Sequence, residues 1–429
     1  MKAYLEKHRF CEKQIHDSAS AGTGIIVVIP SYNEPELLKT LQSLFECERT
    51  RCVAEIIVVI NSGEQKDENV LMQNQQTISE AEAWIKNISE DKLKFHVIEI
   101  KNLPRKHAGV GLARKIGMDE AVDRVDSINN DDGIIVCLDA DCTVEKNYLT
   151  EIEKHFKGNP KATGCSIYFE HPLEGKDFKN EIYAGIVNYE LFLRYYNRAL
   201  HYCGFPYAFQ TIGSCMAVRS KVYQKQGGMN RRKAGEDFYF LHKIFPLKNF
   251  TELNSTCVYP SPRESDRVPF GTGSAMQKIL GNPLNPPKGD IATHNLNNYF
   301  AYNIQSFKDL KRFFEQIPRH YNLNDRKNLP ALPDSIKKFL LQINFEEKLK
   351  ELRKHSASEK MFVKRFFNWF NGFMVLKFVH FARDNFYPQQ EIFEAATQLM
   401  QLSGKEIAGG ISKKELLLTY RKWERATAF

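Results

Sequence analysis

Two uninterrupted apolar runs, Ile25-Ile26-Val27-Val28-Ile29 and Ile56-Ile57-Val58-Val59-Ile60, constrain the fold of this chain more than any other feature. A strand with one wet face alternates apolar and polar residues, whereas a strand that is apolar at every position is buried on both faces, as in a parallel sheet covered by helices. Further runs at 94–100 and 133–138 alternate with helix-like segments at 34–47, 81–88 and 111–125, the pattern of repeated βαβ units. The prediction is an α/β fold with a mostly parallel central sheet flanked by helices. Beyond Gly164 the alternation weakens, with an aromatic helical stretch at 182–196, a Gly-marked segment at 211–218 and a Pro/Gly-rich loop region at 259–289. From Asn295 onward the periodicity is helical, at 337–352, 359–383, 389–402 and 413–426, and no strand is expected. The implied division is an N-terminal segment 1–21, an α/β domain 22–290 and a C-terminal helical domain 291–429.

With 429 residues, 42% of them hydrophobic, the chain is long enough for a large domain and an appended one, each with its own core. Its nine cysteines form no CxxC pair or zinc-ligand ladder, and an odd, unpatterned set suits a reducing compartment. The first residues lack the apolar core of a signal peptide, which points to the cytoplasm. The nearest approach to a membrane span, 361–381, is broken by Lys364, Arg365, Asn368, Asn371, Gly372 and Lys377. Phe366, Phe367, Trp369, Phe370, Phe373 and Phe378 cover most of a helix circumference there, which favours a buried helix, and the three basic residues leave a peripheral membrane contact open. The formal charge of +8 is spread over 60 basic and 52 acidic residues and predicts no nucleic-acid partner.

In an open parallel sheet, ligands bind beyond the carboxyl ends of the strands. The first run exits into Pro30-Ser31-Tyr32-Asn33-Glu34, the second into Asn61-Ser62-Gly63, the third into 101–106 and the fourth into Asp139-Ala140-Asp141. Carboxylates at i and i+2 of an extended segment point the same way, so Asp139 and Asp141 can share one Mg²⁺ or Mn²⁺ that bridges to substrate phosphates; a solvated acidic turn is the plain alternative. Lys106 and His107 precede a Gly-rich helix entry, a natural anion site. Between Pro262 and Gly273 an arginine-bearing Gly loop could close over a diphosphate, with Arg263 or Arg267 as its clamp, or be an ordinary surface loop.

The segment 25–34, Gly109-Val110-Gly111-Leu112-Ala113-Arg114-Lys115, Leu138-Asp139-Ala140-Asp141, Gly213-Ser214 and Gly235-Glu236-Asp237 occur in the order seen in family 2 glycosyltransferases of the GT-A fold, which the chain resembles over roughly 22–260. That resemblance implies transfer of a sugar from a nucleotide-sugar donor to an acceptor hydroxyl, with inversion and with a divalent cation, Mn²⁺ or Mg²⁺. It places Tyr32 on the donor base with Pro30 and Glu34 near the nucleotide, and Arg114 on the ribose or phosphates. Asn61 stands where the family usually has an acidic residue, which leaves the base open. Asp139 and Asp141 become metal ligands, Asp139 also a donor contact, Gly213 and Ser214 acceptor contacts, and Asp237 the general base, with Glu236 orienting acceptor or base. No QxxRW motif of processive synthases is present, which favours one transfer per acceptor; the acceptor is a glycan, a lipid-linked sugar or a small molecule. The alternatives are a nucleotidyltransferase, disfavoured because no basic Gly-rich loop follows the first run, and a silent sugar- or nucleotide-binding protein, disfavoured by the four intact acids.

Overall fold

The apolar run at 25–29 becomes the interior of β1, Thr23–Ser31, whose residues from Ile25 to Ile29 are fully excluded from solvent. It lies between β2, Val53–Gly63, and β4, Ile134–Cys137, parallel to both, and β3, Leu93–Leu103, adds a further parallel strand beyond β2. The computed structural model describes residues 2–64, 67–267, 271–281, 295–296, 298–322 and 329–426.

The rest of the sheet is built from β5, Cys142–Val144, β6, Gly164–Phe169, β7, Met216–Arg219, and β8, Phe250–Pro260. The eight strands run in the order β3-β2-β1-β4-β7-β6-β8-β5. β7 is antiparallel to both β4 and β6, and β8 is parallel to β6, so β6 and β8 run in the same sense as β1 and β4. Their carboxyl ends therefore share an edge with those of β1, β2 and β4, while the antiparallel β7 and β5 begin at that edge. This brings together the segments after Ser31, Gly63, Cys137, Phe169 and Pro260, and those before Met216 and Cys142.

The flanking helices include α1, Lys2–His8, α2, Leu37–Phe45, α3, Glu68–Lys86, α4, Val110–Ser127, α5, Tyr148–Gly158, α6, Asn180–Tyr202, α7, Ser220–Lys225, α8, Glu236–Ile244, and α9, Thr272–Ile279. One apolar layer, with Ile25, Val27 and Ile29, lies against α2 and α5; the other, with Ile26 and Val28, lies against α4. α3 starts well before the helix expected at 81–88, because Asp67 caps it by accepting from the Asn69 N–H at 2.9 Å.

The C-terminal part is helical as predicted: α10, Ile304–Gln316, α11, Asp334–Gln342, α12, Phe345–Lys354, α13, Glu359–Trp369, α14, Gly372–Asn385, α15, Ile392–Leu402, and α16, Lys413–Ala426. Two expected helices are each split. Asn344 takes a left-handed conformation at φ 51° between α11 and α12, and Asn371 caps α14 by accepting from the N–H groups of Phe373 and Met374. The expectation of no strand is corrected by a short antiparallel pair, β9, Phe300–Ala301, with β10, Gln390–Glu391, too brief to leave a period-2 signal. The proposed boundary near 290 lies outside the described residues. The helical core also takes in Ile186, Leu191, Tyr195 and Ala199 of α6, so the helices complete a core begun by the α/β part.

Candidate active site

At the shared edge, the two acidic motifs meet on one arginine. Arg114, in the second turn of α4, is 1% exposed. Its Nη2 donates to Asp139 Oδ1 at 2.6 Å and its Nη1 to Glu236 Oε1. A guanidinium is suited to this, because its planar fork serves two carboxylates at once. The alternative of a surface arginine paired with a neighbouring acid is thereby half met: the residue is paired but buried. Gly213 leaves room for it, since a Cβ there would lie 2.8 Å from both Arg114 Nη atoms.

Glu236 is buried with Arg114, at the start of α8 after Gly235, whose φ of 70° makes the turn into the helix. Asp237 is less enclosed; one oxygen accepts from the Phe238 N–H at 2.7 Å, and the Gly213 N–H also stabilises its charge. Burial pushes the carboxyls of Glu236 and Asp237 above the ordinary range, and Arg114 opposes that in both. The ring of Tyr189, in the middle of α6, stands near enough for the charge of Asp237 to raise its phenol beyond the effect of burial, which comes first.

Asp141 sits on the other side of Asp139. Burial raises its carboxyl, Arg263 lowers it, and Asp139 and Glu34 raise it further, so three carboxylates crowd one place. The positive charge there comes from the loop after β8. Arg263 donates to both oxygens of the buried Glu34, at 3.0 Å from Nη1 to Oε1, and its Nη2 also reaches Asp141 Oδ2 at 3.0 Å. Arg267 Nη1 donates to Glu34 Oε2 at 3.1 Å and to the Tyr32 carbonyl at 2.9 Å. The loop arginines therefore lie at the sheet edge, and Val268, Pro269 and Phe270 of the same segment fall outside the described residues.

The remaining expected residues divide by exposure. Tyr32 is 39% exposed at the mouth of the edge, beside Asn33, whose N–H is held by Asn74 Oδ1 at 2.9 Å. Lys106 is exposed and has no ion pair among the described residues. Pro30 is buried within β1, opposite Val59, and Asn61 is buried with its carbonyl accepting from Asn74 Nδ2 at 3.3 Å. Ser214 is buried, with its hydroxyl 3.5 Å from Cys215 Sγ. Among the described residues no group of three or more His, Cys, Asp or Glu side chains is arranged to hold a metal by itself.

Residues 26–227 match the model of glycosyl transferase family 2. Over that stretch, just under half of the chain, the sequence is that of a family 2 glycosyltransferase domain. The mixed, mostly parallel sheet with flanking helices and the helical C-terminal region agree with the expected α/β architecture. Among solved structures, the chain is similar to S. aureus TarS 1-349 in complex with UDP-GlcNAc, at 15% identity and a TM-score of 0.41, covering 91% of this chain and 95% of that one. It is also similar to the UDP complex of TarS 1-349, at 14% identity, a TM-score of 0.39 and coverage of 90% and 95%. A longer TarS structure is matched at 14% identity and a TM-score of 0.38 over 84% of this chain and 55% of that one. No curated protein matches the chain. The family 2 match ends at 227, before Glu236, Asp237 and the loop arginines, which the structure nonetheless brings to the same edge as Asp139 and Asp141.

Sequence reasoning missed His171, which follows β6 and is 2% exposed, with Nδ1 3.0 Å from Glu190 Oε2 and Nε2 3.3 Å from Thr272 Oγ1 at the start of α9. It placed Phe373 only in the aromatic stretch and not against the site, whereas its ring, on α14, packs on Phe238 and Tyr239 of α8 at 4.9 and 4.8 Å. Neither lies in a motif. No helix among the described residues is long and apolar enough to cross a membrane, and Phe362, Phe366, Phe370 and Phe378 are all buried, as expected for a packed aromatic stretch.

Proposed function

We propose that the chain transfers a single sugar from a nucleoside-diphosphate sugar to an acceptor hydroxyl, with inversion and with a divalent cation. The observation that carries this reading is the joining of Asp139 and Glu236 by the buried Arg114, which holds the donor-side and acceptor-side acids in fixed register. Asp139 and Asp141 are the residues that would hold the cation. The crowding of carboxylates around Asp141 suits positive charge, and two protein carboxylates leave the remaining positions to water and donor phosphates. When bound, the cation would neutralise charge developing on the leaving diphosphate.

Asp237 is the general base in this reading. Glu236 is committed to Arg114, whereas Asp237 stands at the first turn of α8 with a carboxyl raised by burial, which makes it a stronger base than an exposed aspartate. Tyr32 offers an exposed ring to the base, Lys106 a free ammonium to the phosphates, and Arg263 and Arg267 their guanidiniums to the diphosphate. Arg114 acts through the acids it pins and not on the donor directly. Asn61 and Pro30 shape the floor, and Gly213 contributes through its N–H toward Asp237, with Ser214 behind it. The nine unpaired cysteines support a reducing compartment.

A thermal-shift screen of nucleotide sugars, each with Mn²⁺ or EDTA, tests the donor and cation together. A donor at 100 times its dissociation constant should stabilise the chain by about 2.7 kcal/mol. No shift with any nucleotide sugar, while acceptor transfer is also absent, would remove the reading.

A further inference from the structure

In this conformation the two arginines nearest the expected diphosphate are spoken for by acids. Glu34 is 1% exposed and receives both guanidiniums, two contacts from Arg263 and one from Arg267, while the N–H of Glu36 donates to its Oε1 at 3.0 Å. The second partner of Arg263 is Asp141, at 3.0 Å, with Arg267 Nη2 3.9 Å from the same Oδ2 atom. The fit is incomplete, because Arg263 Nε is buried with no hydrogen-bond partner among the described residues. An unsatisfied buried N–H costs free energy, so this arrangement is a resting place from which the guanidinium can gain by moving to an acceptor with more oxygens.

Resting on the donor and cation reading above, we infer that Glu34 is a positioning residue. It parks Arg263 and Arg267 against Asp141 while no cation is held there, and passes them to the donor diphosphate once a divalent cation takes Asp141. The argument is one of competition. Asp141 Oδ2 cannot serve a guanidinium and a cation at full strength together, and like charges side by side repel. Glu34 is not one of the two acids assigned to the cation and sits on the chain segment that carries Tyr32, so it keeps the arginines within reach of the donor and prevents their loss to solvent. The exchange is electrostatic throughout and forms or breaks no covalent bond.

Phenylglyoxal, which modifies accessible guanidiniums, reads the positions of Arg263 and Arg267 directly when adducts are counted by mass spectrometry, and Mn²⁺ binding is followed independently by its EPR signal. In EDTA both arginines should react slowly in the wild type. In E34Q they should react about tenfold faster or more, the scale expected when one partner of an enclosed charge pair is lost, and E34D should restore much of the protection. MnCl₂ alone should speed modification in the wild type, and MnCl₂ with UDP, GDP or ADP should slow it again for the nucleotide that binds. Should E34Q not fold, D141N carries the test: it must raise the reactivity of Arg263 and abolish the response to MnCl₂. Equal reactivity in wild type and E34Q overturns the role of Glu34. Bound Mn²⁺ without a change in reactivity, or no protection by any of the nucleotides, overturns the exchange. A free-Mn²⁺ signal that the protein does not diminish removes the cation reading and the exchange with it, while the E34Q comparison still decides whether Glu34 positions the arginines.

Discussion

A guanidinium held between Asp139 and Glu236 inside the protein is poorly replaced by an ammonium, which has no planar fork. Arg114→Met would leave Glu236 buried without its partner, and losing one side of a buried pair costs about 3–5 kcal/mol. Urea denaturation should show that loss, and unchanged stability would mean that Glu236 finds another partner. Asp237→Asn makes the complementary prediction: nucleotide affinity stays, while transfer falls by about 10² to 10⁴, the usual contribution of a positioned base. Isothermal titration alongside single-turnover transfer separates the two, and near-normal turnover in Asp237→Asn with none in Glu236→Gln would reverse the roles. The pH dependence follows from the direction of the shift. The base must be deprotonated, and burial raises the carboxyl, so transfer should climb with pH above the ordinary aspartate range, on a limb that Asp237→Asn lacks. At this scale the sequence named Asp139, Glu236 and Arg114 but not their pairing, because a contact across 122 positions leaves no local pattern. Ser214 was legible only as part of a motif, and burial beside Cys215 turns it away from open space.

Among the elements, β1, β2 and β4 were legible because burial on both faces writes itself as an unbroken apolar run, and the edge strand β3 because Val97, Ile98 and Ile100 still stand out. The three-residue β5 is too short for that, and β7, as short as β4, reads Met216-Ala217-Val218-Arg219 without a β-branched run. The split at Asn371 was hidden by aromatic residues on both sides, yet it matters most to the site, since it aims the start of α14 at α8. Gly372 is the point of closest approach: a Cβ there would lie 2.0 Å from His242 Nε2, and that ring is fixed by its Nδ1 at 2.8 Å from the Phe238 carbonyl. Gly372→Ala should cost about 1–3 kcal/mol through overpacking. It should also lower transfer more than nucleotide binding, because α8 carries Asp237; equal loss of both would place the effect elsewhere. A second element-level test concerns Glu55, which β2 buries against α4. Burial alone would raise its carboxyl, but His96, Arg124 and Thr23 bring it down to about 2. A depressed carboxyl stabilises the fold above its unfolded value of 4.5 and loses that contribution as pH falls through about 2. The full contribution is about 3 kcal/mol at most. Glu55→Gln should therefore flatten acid unfolding between those values, and a variant with the wild-type acid profile would show that Glu55 is not the titrating group.

For the molecule as a whole, the helical C-terminal part was legible as helix but not as a completing half of the core, because nothing in a helical period states what it packs against. The structure answers that with α6. Its residues Ile186, Leu191, Tyr195 and Ala199 are buried among Phe307, Phe313, Leu399 and Tyr420 from the helical part. Charged groups bind the same surfaces: Arg194 of α6 reaches Glu424 of α16, and Arg421 of α16 donates to Glu190 of α6 at 2.7 Å and to the His171 carbonyl at 2.8 Å. His171 in turn lies 3.3 Å from Thr272, so α16 supports the helix that follows the loop arginines. Two parts that share a core in this way should unfold together. Thermal unfolding of the full chain should then give one transition by near- and far-ultraviolet circular dichroism. A chain ending at residue 281 should lose native near-ultraviolet signal and bind a hydrophobic dye, because α6 would expose its apolar face and leave Glu190 and Arg194 buried or half-buried with partners missing. If that shortened chain instead unfolds cooperatively at the temperature of the full protein and still binds a nucleoside diphosphate, the catalytic part folds alone and the helices are an appendage after all.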